Sequence, residues 1–217
     1  MSNNNTSILI QVDLPVKCSL EGFNSAYELH YKNKISHEYI RNELNLGEEV
    51  KLKLNGTFKR NLYLLDDKDC LYKVMIKIQT ALWYDPNTYT KHYVSIMPSF
   101  IKKYCPVSLT TLEHTTCETK EGENVFDHID DPQGNIDCED TISRPIKRIE
   151  LVATKHKLSA LLNAKYTEAY NTSLNMKDSD KESPRKYKVI YELIQTARKY
   201  FGVKFGVLSR INKLFKI

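Results

Sequence analysis

The sequence predicts an α+β fold, with a small β-rich N-terminal region followed by a basic helical C-terminal region. Three observations carry that expectation. Apolar residues alternate at the strand period through much of residues 50–94, and they recur at the helical period from Ile146 onward. Between the two the charge reverses: residues 113–140 hold ten acidic groups against one basic group, Lys120. Residues 144–217 hold seventeen Lys and Arg against six Asp and Glu, which puts +11 there and −6 in the rest of a chain whose net charge is +5.

The elements follow in order. Residues 7–16 form a short β-prone run before a turn-like Ser19-Leu20-Glu21-Gly22. Residues 36–44 predict a short helix with Tyr39, Ile40 and Leu44 on its apolar side. Residues 49–54, 60–65 and 71–78 read as strands, with Asn55-Gly56 and Asp66-Asp67-Lys68-Asp69 as the turns between them. Trp83-Tyr84-Asp85-Pro86-Asn87 reads as a loop, and Pro98 interrupts the apolar series Tyr89, Tyr93, Ile96 and Phe100. After Leu112 the chain becomes acidic and turn-rich, most clearly at Asp130-Asp131-Pro132-Gln133-Gly134-Asn135.

The expected division is therefore a β-rich region over 1–112, an acidic linker or insertion over 113–143, and a basic helical region over 144–217. Residues 146–169 carry an apolar stripe that includes Ile149, Val152, Ala153, Leu158, Leu161 and Leu162. An interruption over 177–184 precedes a second helix that starts near Pro184, turns Val189, Ile190, Leu193, Ile194 and Ala197 inward, and stops near Gly202. A short terminal helix uses Val207, Leu208, Ile211, Leu214 and Phe215 as its buried side.

The basic region points to a polyanion partner. The groups expected to meet phosphates are Arg185, Lys186, Lys188, Arg198, Lys199, Lys204, Arg210 and Lys213, which fall mainly outside the apolar stripes. Tyr187, Tyr191 and Tyr200 stand beside them as candidates for stacking on a base. DNA is the first expected partner and RNA the second. The alternative is a structural or assembly protein whose basic helices hold another protein, or hold the acidic segment of the same chain.

Other chemistry has weaker support. No run approaches the roughly 18–20 apolar residues that span a membrane, and residues 1–7 are polar, unlike a secretory leader. The expected location is cytoplasmic, or nucleoid-associated in a bacterium. Five cysteines without a close C-x-x-C pair fit a reduced chain. His114 and Cys117, with Cys105, His128 or Cys138, form an incomplete zinc set that lacks a second tight pair. Asp127, Asp130, Asp131, Asp137, Glu139 and Asp140 supply oxygen ligands, yet they cluster in one expected loop rather than on separate elements. With no phosphate-binding glycine loop and no serine-nucleophile motif, neither an enzyme nor a metal or other cofactor is expected.

One resemblance adds to this reading. Asn55-Gly56-Thr57-Phe58-Lys59-Arg60, Ile76-Lys77-Ile78-Gln79 and Ile96-Met97-Pro98-Ser99-Phe100 resemble a zinc-ribbon region at the front of transposase-like proteins of bacterial mobile elements. It spans residues 54–112, about a quarter of the chain. The resemblance implies a β-rich ribbon ahead of a helical DNA-binding region. The paired cysteines of that ribbon are missing: residues 80–86 contain none, and Cys18 stands alone. What the resemblance implies is a degenerate ribbon without zinc, in which Trp83, Tyr84 and Tyr89 replace the metal's constraint by packing.

Overall fold

The computed structural model describes residues 7–15, 17–134, 136–166 and 184–217. Its described residues have the expected α+β class. Four strands, β1 (Ser7–Ile10), β2 (Leu52–Leu65), β3 (Leu71–Asp85) and β4 (Thr90–Pro98), form a sheet in the order β1-β4-β3-β2. β1 runs parallel to β4, and the β2–β3 and β3–β4 pairs are antiparallel. The helices are α1 (Leu20–His30), α2 (His37–Leu44), α3 (Leu109–Glu118), α4 (Asp140–Lys155), α5 (Leu158–Tyr166), α6 (Lys188–Phe201) and α7 (Val207–Phe215). No helix among the described residues is long and apolar enough to cross a membrane.

Several local expectations are corrected. Ser19-Leu20-Glu21-Gly22 is the start of α1, where the Ser19 side chain accepts a hydrogen bond from the Gly22 amide at 3.1 Å. Phe23 and Tyr27, four apart, form the buried side of that helix. Asn55-Gly56 makes a bulge inside a continuous β2, with Gly56 at φ 85° and the register shifting between Leu54 and Thr57. Trp83, Tyr84 and Asp85 finish β3 instead of leaving it. The Trp83 ring stacks on His92, its cross-strand partner, with centroids 4.2 Å apart.

The described residues of the basic region are mainly helical, as expected, but residues 146–166 are divided. α4 ends at His156, Lys157 takes a left-handed conformation (φ 48°), and α5 begins at Leu158. α6 buries Ile190, Leu193, Ile194 and Ala197 and ends on left-handed Gly202, while Val189 stays exposed. Residues 167–183, which include most of the expected interruption, lie outside the described residues. The acidic stretch is folded. α3 begins at Leu109, ahead of the 113 boundary, and a 3₁₀ turn at Val125–His128 is closed by a reciprocal Asn124–Asp127 capping box.

Two apolar clusters hold the chain. One packs α1 and α2 against the sheet through Phe23, Tyr27, Ile40, Ile76, Ile78 and Ile96. The other gathers α3–α7 around Leu112, Ile146, Ile149, Leu193 and Ile211, with Leu65 and Leu71 from the far ends of β2 and β3. A buried polar seam fastens α7 to the sheet. Ser99 and Ser209 share a hydrogen bond of 2.6 Å, and the Val12 amide donates to Ser99 at 3.0 Å. Asn212 donates to the Ser99 and Ile101 carbonyls at 2.8 and 3.1 Å.

β3 and β4 pair from Asp85–Thr90 as far as Gln79–Ile96 and then part, so that β4 continues beside β1 alone. The Tyr31 hydroxyl sits at this fork. It accepts from the Gln79 amide at 2.9 Å and donates to the Ile96 carbonyl at 2.6 Å, while Tyr27 donates to the Lys77 carbonyl. Both backbone groups would otherwise lack partners in a nearly dry interior. Replacing Tyr31 by Phe is expected to cost about 2 kcal/mol of unfolding free energy, from two orphaned backbone groups. Urea unfolding measures the loss, and amide exchange at Gln79 localises it. An unchanged midpoint would refute the assignment.

Candidate nucleic-acid interface

The eight cations expected to form the interface have different surroundings. Lys186 reaches Glu139 and the Glu123 carbonyl, both at 2.7 Å. Arg185 donates to the Cys117 and Glu118 carbonyls at the end of α3 and lies over the Tyr191 ring. Arg210 is 3.1 Å from Asp13, and Lys213 is 2.7 Å from Glu43 and 3.2 Å from the Tyr39 hydroxyl. These contacts tie the basic C-terminal helices to the acidic segment and to the front of the chain. Lys188 is exposed, 4.0 Å from Glu192. Lys199 and Lys204 are exposed, and Lys204 lies over the Phe205 ring. Among the three tyrosines, Tyr187 is buried and Tyr200 bonds to Asn163.

Arg198 has the most interior role. Its side chain is 14% exposed and lies 3.6 Å from Glu113, whose carboxylate is fully buried. Gly206 offers no side chain to cap α7, and the Glu113 carboxylate does so instead, accepting from the Leu208 amide at 3.0 Å. Burial pushes the Glu113 carboxyl up to about 7, against the pull of the Leu208 amide and the Arg198 guanidinium. Cys117 lies 3.5 Å from the same guanidinium, and burial raises its thiol to about 11. Cys117 and His114, neighbours in the incomplete zinc set, thus meet different partners.

His114 instead faces a polar cleft of about 550 Å³ with Lys17, Asp69, Glu118 and His128. Lys17 holds Asp69 at 2.5 Å, His114 Nε2 is 3.3 Å from the same carboxylate, and the His128 backbone takes a further hydrogen bond from the ring. Burial lowers the His114 pKa despite Asp69. His128 is tied to Glu123 at 2.9 Å. The imidazoles thus pin α3, the β2–β3 turn and the 3₁₀ turn together. Cys70, next to Asp69 in the chain, is pushed up by desolvation and by Asp130, the opposite of thiolate activation. Among the described residues, no group of three His, Cys, Asp or Glu is arranged to hold a metal ion. All five cysteines are free.

A group of cations drawn from separate elements lies elsewhere. Residues 99–108 cross from the end of β4 to the outer edge of β2, where the Tyr63 amide bonds to the Pro106 carbonyl at 2.8 Å and the Ser108 amide to the Tyr63 carbonyl at 3.0 Å. Within this crossover the Cys105 amide bonds to the Lys102 carbonyl at 3.1 Å, closing a β-turn. Arg60 from β2 clamps it, donating to the Lys102 and Cys105 carbonyls at 2.8 and 2.6 Å. Lys102 and Lys103 stand on the turn, and Arg148 of α4 is close enough to act on Lys102. Desolvation lowers the pKa of both Lys102 and Arg60, and no carboxylate offsets it. Among the described residues none of the four cations has a carboxylate within 4.0 Å.

Composition shows clusters along the chain, whereas this corner draws on three separated stretches. The one local signal was Lys102-Lys103-Tyr104. No protein-family model, curated protein or solved structure matches the chain.

The buried Glu113 has a pH signature. Its folded pKa lies above the ordinary carboxyl value, so its contribution to stability is full below pH ~4.5 and is lost as pH rises to ~7. Glu113→Gln keeps an acceptor for the Leu208 amide and removes the titration. Across that window the stability of the Gln variant is expected to gain on the parent by about 3 kcal/mol with rising pH. Urea unfolding at several pH values measures the difference, and parallel profiles would exclude the raised pKa.

Proposed function

We propose that the protein binds nucleic acid without catalysing its chemistry, and that the corner at Arg60, Lys102, Lys103 and Arg148 supplies the phosphate contacts. The observation that carries this reading is the lack of counter-charge there. Lys186, Arg198, Arg210 and Lys213 have carboxylate partners within the fold, whereas the four corner cations have none among the described residues, Arg60 being held by two backbone carbonyls. Grouped cations without acids favour an external polyanion and strengthen its attraction. Lys199 and Lys204 are exposed as well. The resemblance of residues 54–112 to the ribbon region of transposase-like proteins supports the same partner class, because most of β2, all of β4 and the crossover lie within it.

The reading is tested by anisotropy with labelled single-stranded DNA, duplex DNA and RNA over a salt series. Affinity is expected to fall steeply as salt rises. Lys102→Glu, Lys103→Glu and Arg148→Glu together are expected to weaken binding by at least about tenfold. Each lost phosphate contact should also reduce the salt slope by roughly 0.7–0.9. Circular dichroism checks that the fold is retained. A complex that survives nuclease and ignores these changes would instead favour a protein-assembly role.

A further inference from the structure

The 102–105 turn has a second property beside its charge. Tyr104, at its third position, has φ 62°, a left-handed conformation that glycine or asparagine adopts readily and an aromatic residue rarely does. Its side chain is 81% exposed, so packing does not hold it there. Lys103 places its ammonium 5.0 Å from the ring centroid. Below the turn, Phe58, Met97 and Pro106 give apolar walls to a groove of about 440 Å³ whose edge carries Arg60 and Lys103. Phe58 is itself 40% exposed. The fold therefore presents an exposed ring beside an apolar groove and a cluster of cations that have no carboxylate partner among the described residues.

Resting on the nucleic-acid reading above, we infer that this corner is a stacking platform for single-stranded nucleic acid, with a base against Tyr104 and the adjoining phosphates on Lys102, Lys103 and Arg148. A duplex keeps its base faces stacked inside and has no use for an exposed ring or apolar walls. A single strand offers both the π-face and the backbone charge, the pairing that sequence-tolerant single-strand binders use. An acidic peptide meets the cations alone and gives the ring no partner.

The test uses the full chain with four labelled probes: an oligothymidylate, an oligoadenylate, a blunt duplex of the same length, and polyglutamate. Both single strands are expected to bind at least about tenfold more tightly than the duplex. Tyr104→Gly relieves the left-handed backbone and should fold at least as stably as the parent. It is expected to lose about tenfold in single-strand affinity, with an unchanged salt slope because no charge is removed. Tyr104→Trp should retain binding. Equal affinity for duplex and single strand, or an unaltered Tyr104→Gly, would overturn the platform and leave the nucleic-acid reading standing. Binding of polyglutamate alone would overturn both.

Discussion

The fork between β3 and β4 is the constraint from which the rest of the molecule is arranged. A strand that leaves its neighbour exposes an amide and a carbonyl, and burying them unpaired would cost more than most side-chain contacts return. Tyr31 closes both groups with one hydroxyl, and Tyr27 takes the next carbonyl along β3. Burial raises both phenols, to about 12 at Tyr27, so they remain neutral donors throughout the ordinary pH range. With the fork sealed, β4 can pair with β1 and deliver Ser99 to the α7 seam. The chain then passes outward and returns at the far edge of β2. The cationic corner lies on that return path, and its place follows from where the two strands separate.

The charge reversal along the sequence takes on a different meaning in three dimensions. Four of the C-terminal cations expected to face a partner are used within the chain, at Asp13, Glu43, Glu113 and Glu139. The surface pairs contribute little each. Glu113 and Arg198 differ, because removing Glu113 would leave the guanidinium largely buried without its partner carboxylate. Their carboxylate also ends at α7, so one interior contact couples α3, α6 and α7. Acidic and basic stretches that look like separate modules in the sequence are therefore the two sides of one packed interior.

Parts of this were legible from short-range signals. Ser36 ahead of α2 and Gly202 after α6 mark helix ends that the structure keeps. Helix α3 was hidden because its buried side is largely threonine. Thr115 bonds back to the Thr111 carbonyl at 2.9 Å, and Thr119 to the Thr115 carbonyl at 2.8 Å. Polar residues that satisfy themselves along the helix erase the apolar period on which a sequence reading relies. The sorting of cations was hidden for another reason: Lys213 and Glu43 are 170 residues apart. A charge count registers both but not their meeting. Arg60, Lys102 and Arg148 likewise become neighbours only after β2, the crossover and α4 assemble.

Backbone strain separates Tyr104 from other left-handed residues. Asn45 and Lys216 cap the ends of α2 and α7, Lys157 divides α4 from α5, and Asp69 is held by Lys17 in the β2–β3 turn. Each is at a place where the chain must turn and where its side chain or amide has a use within the fold. Tyr89, at the tip of the β3–β4 hairpin, lays its ring edge-on to Tyr84 at 6.4 Å. Tyr104 also sits in a necessary turn, yet its ring meets only the neighbouring Lys103 ammonium among the described ring contacts. Glycine would make the same turn at lower cost, roughly 1 kcal/mol or more. What tyrosine adds at that position is therefore to be sought outside the fold, in whatever meets an exposed ring among cations that lack a carboxylate partner among the described residues.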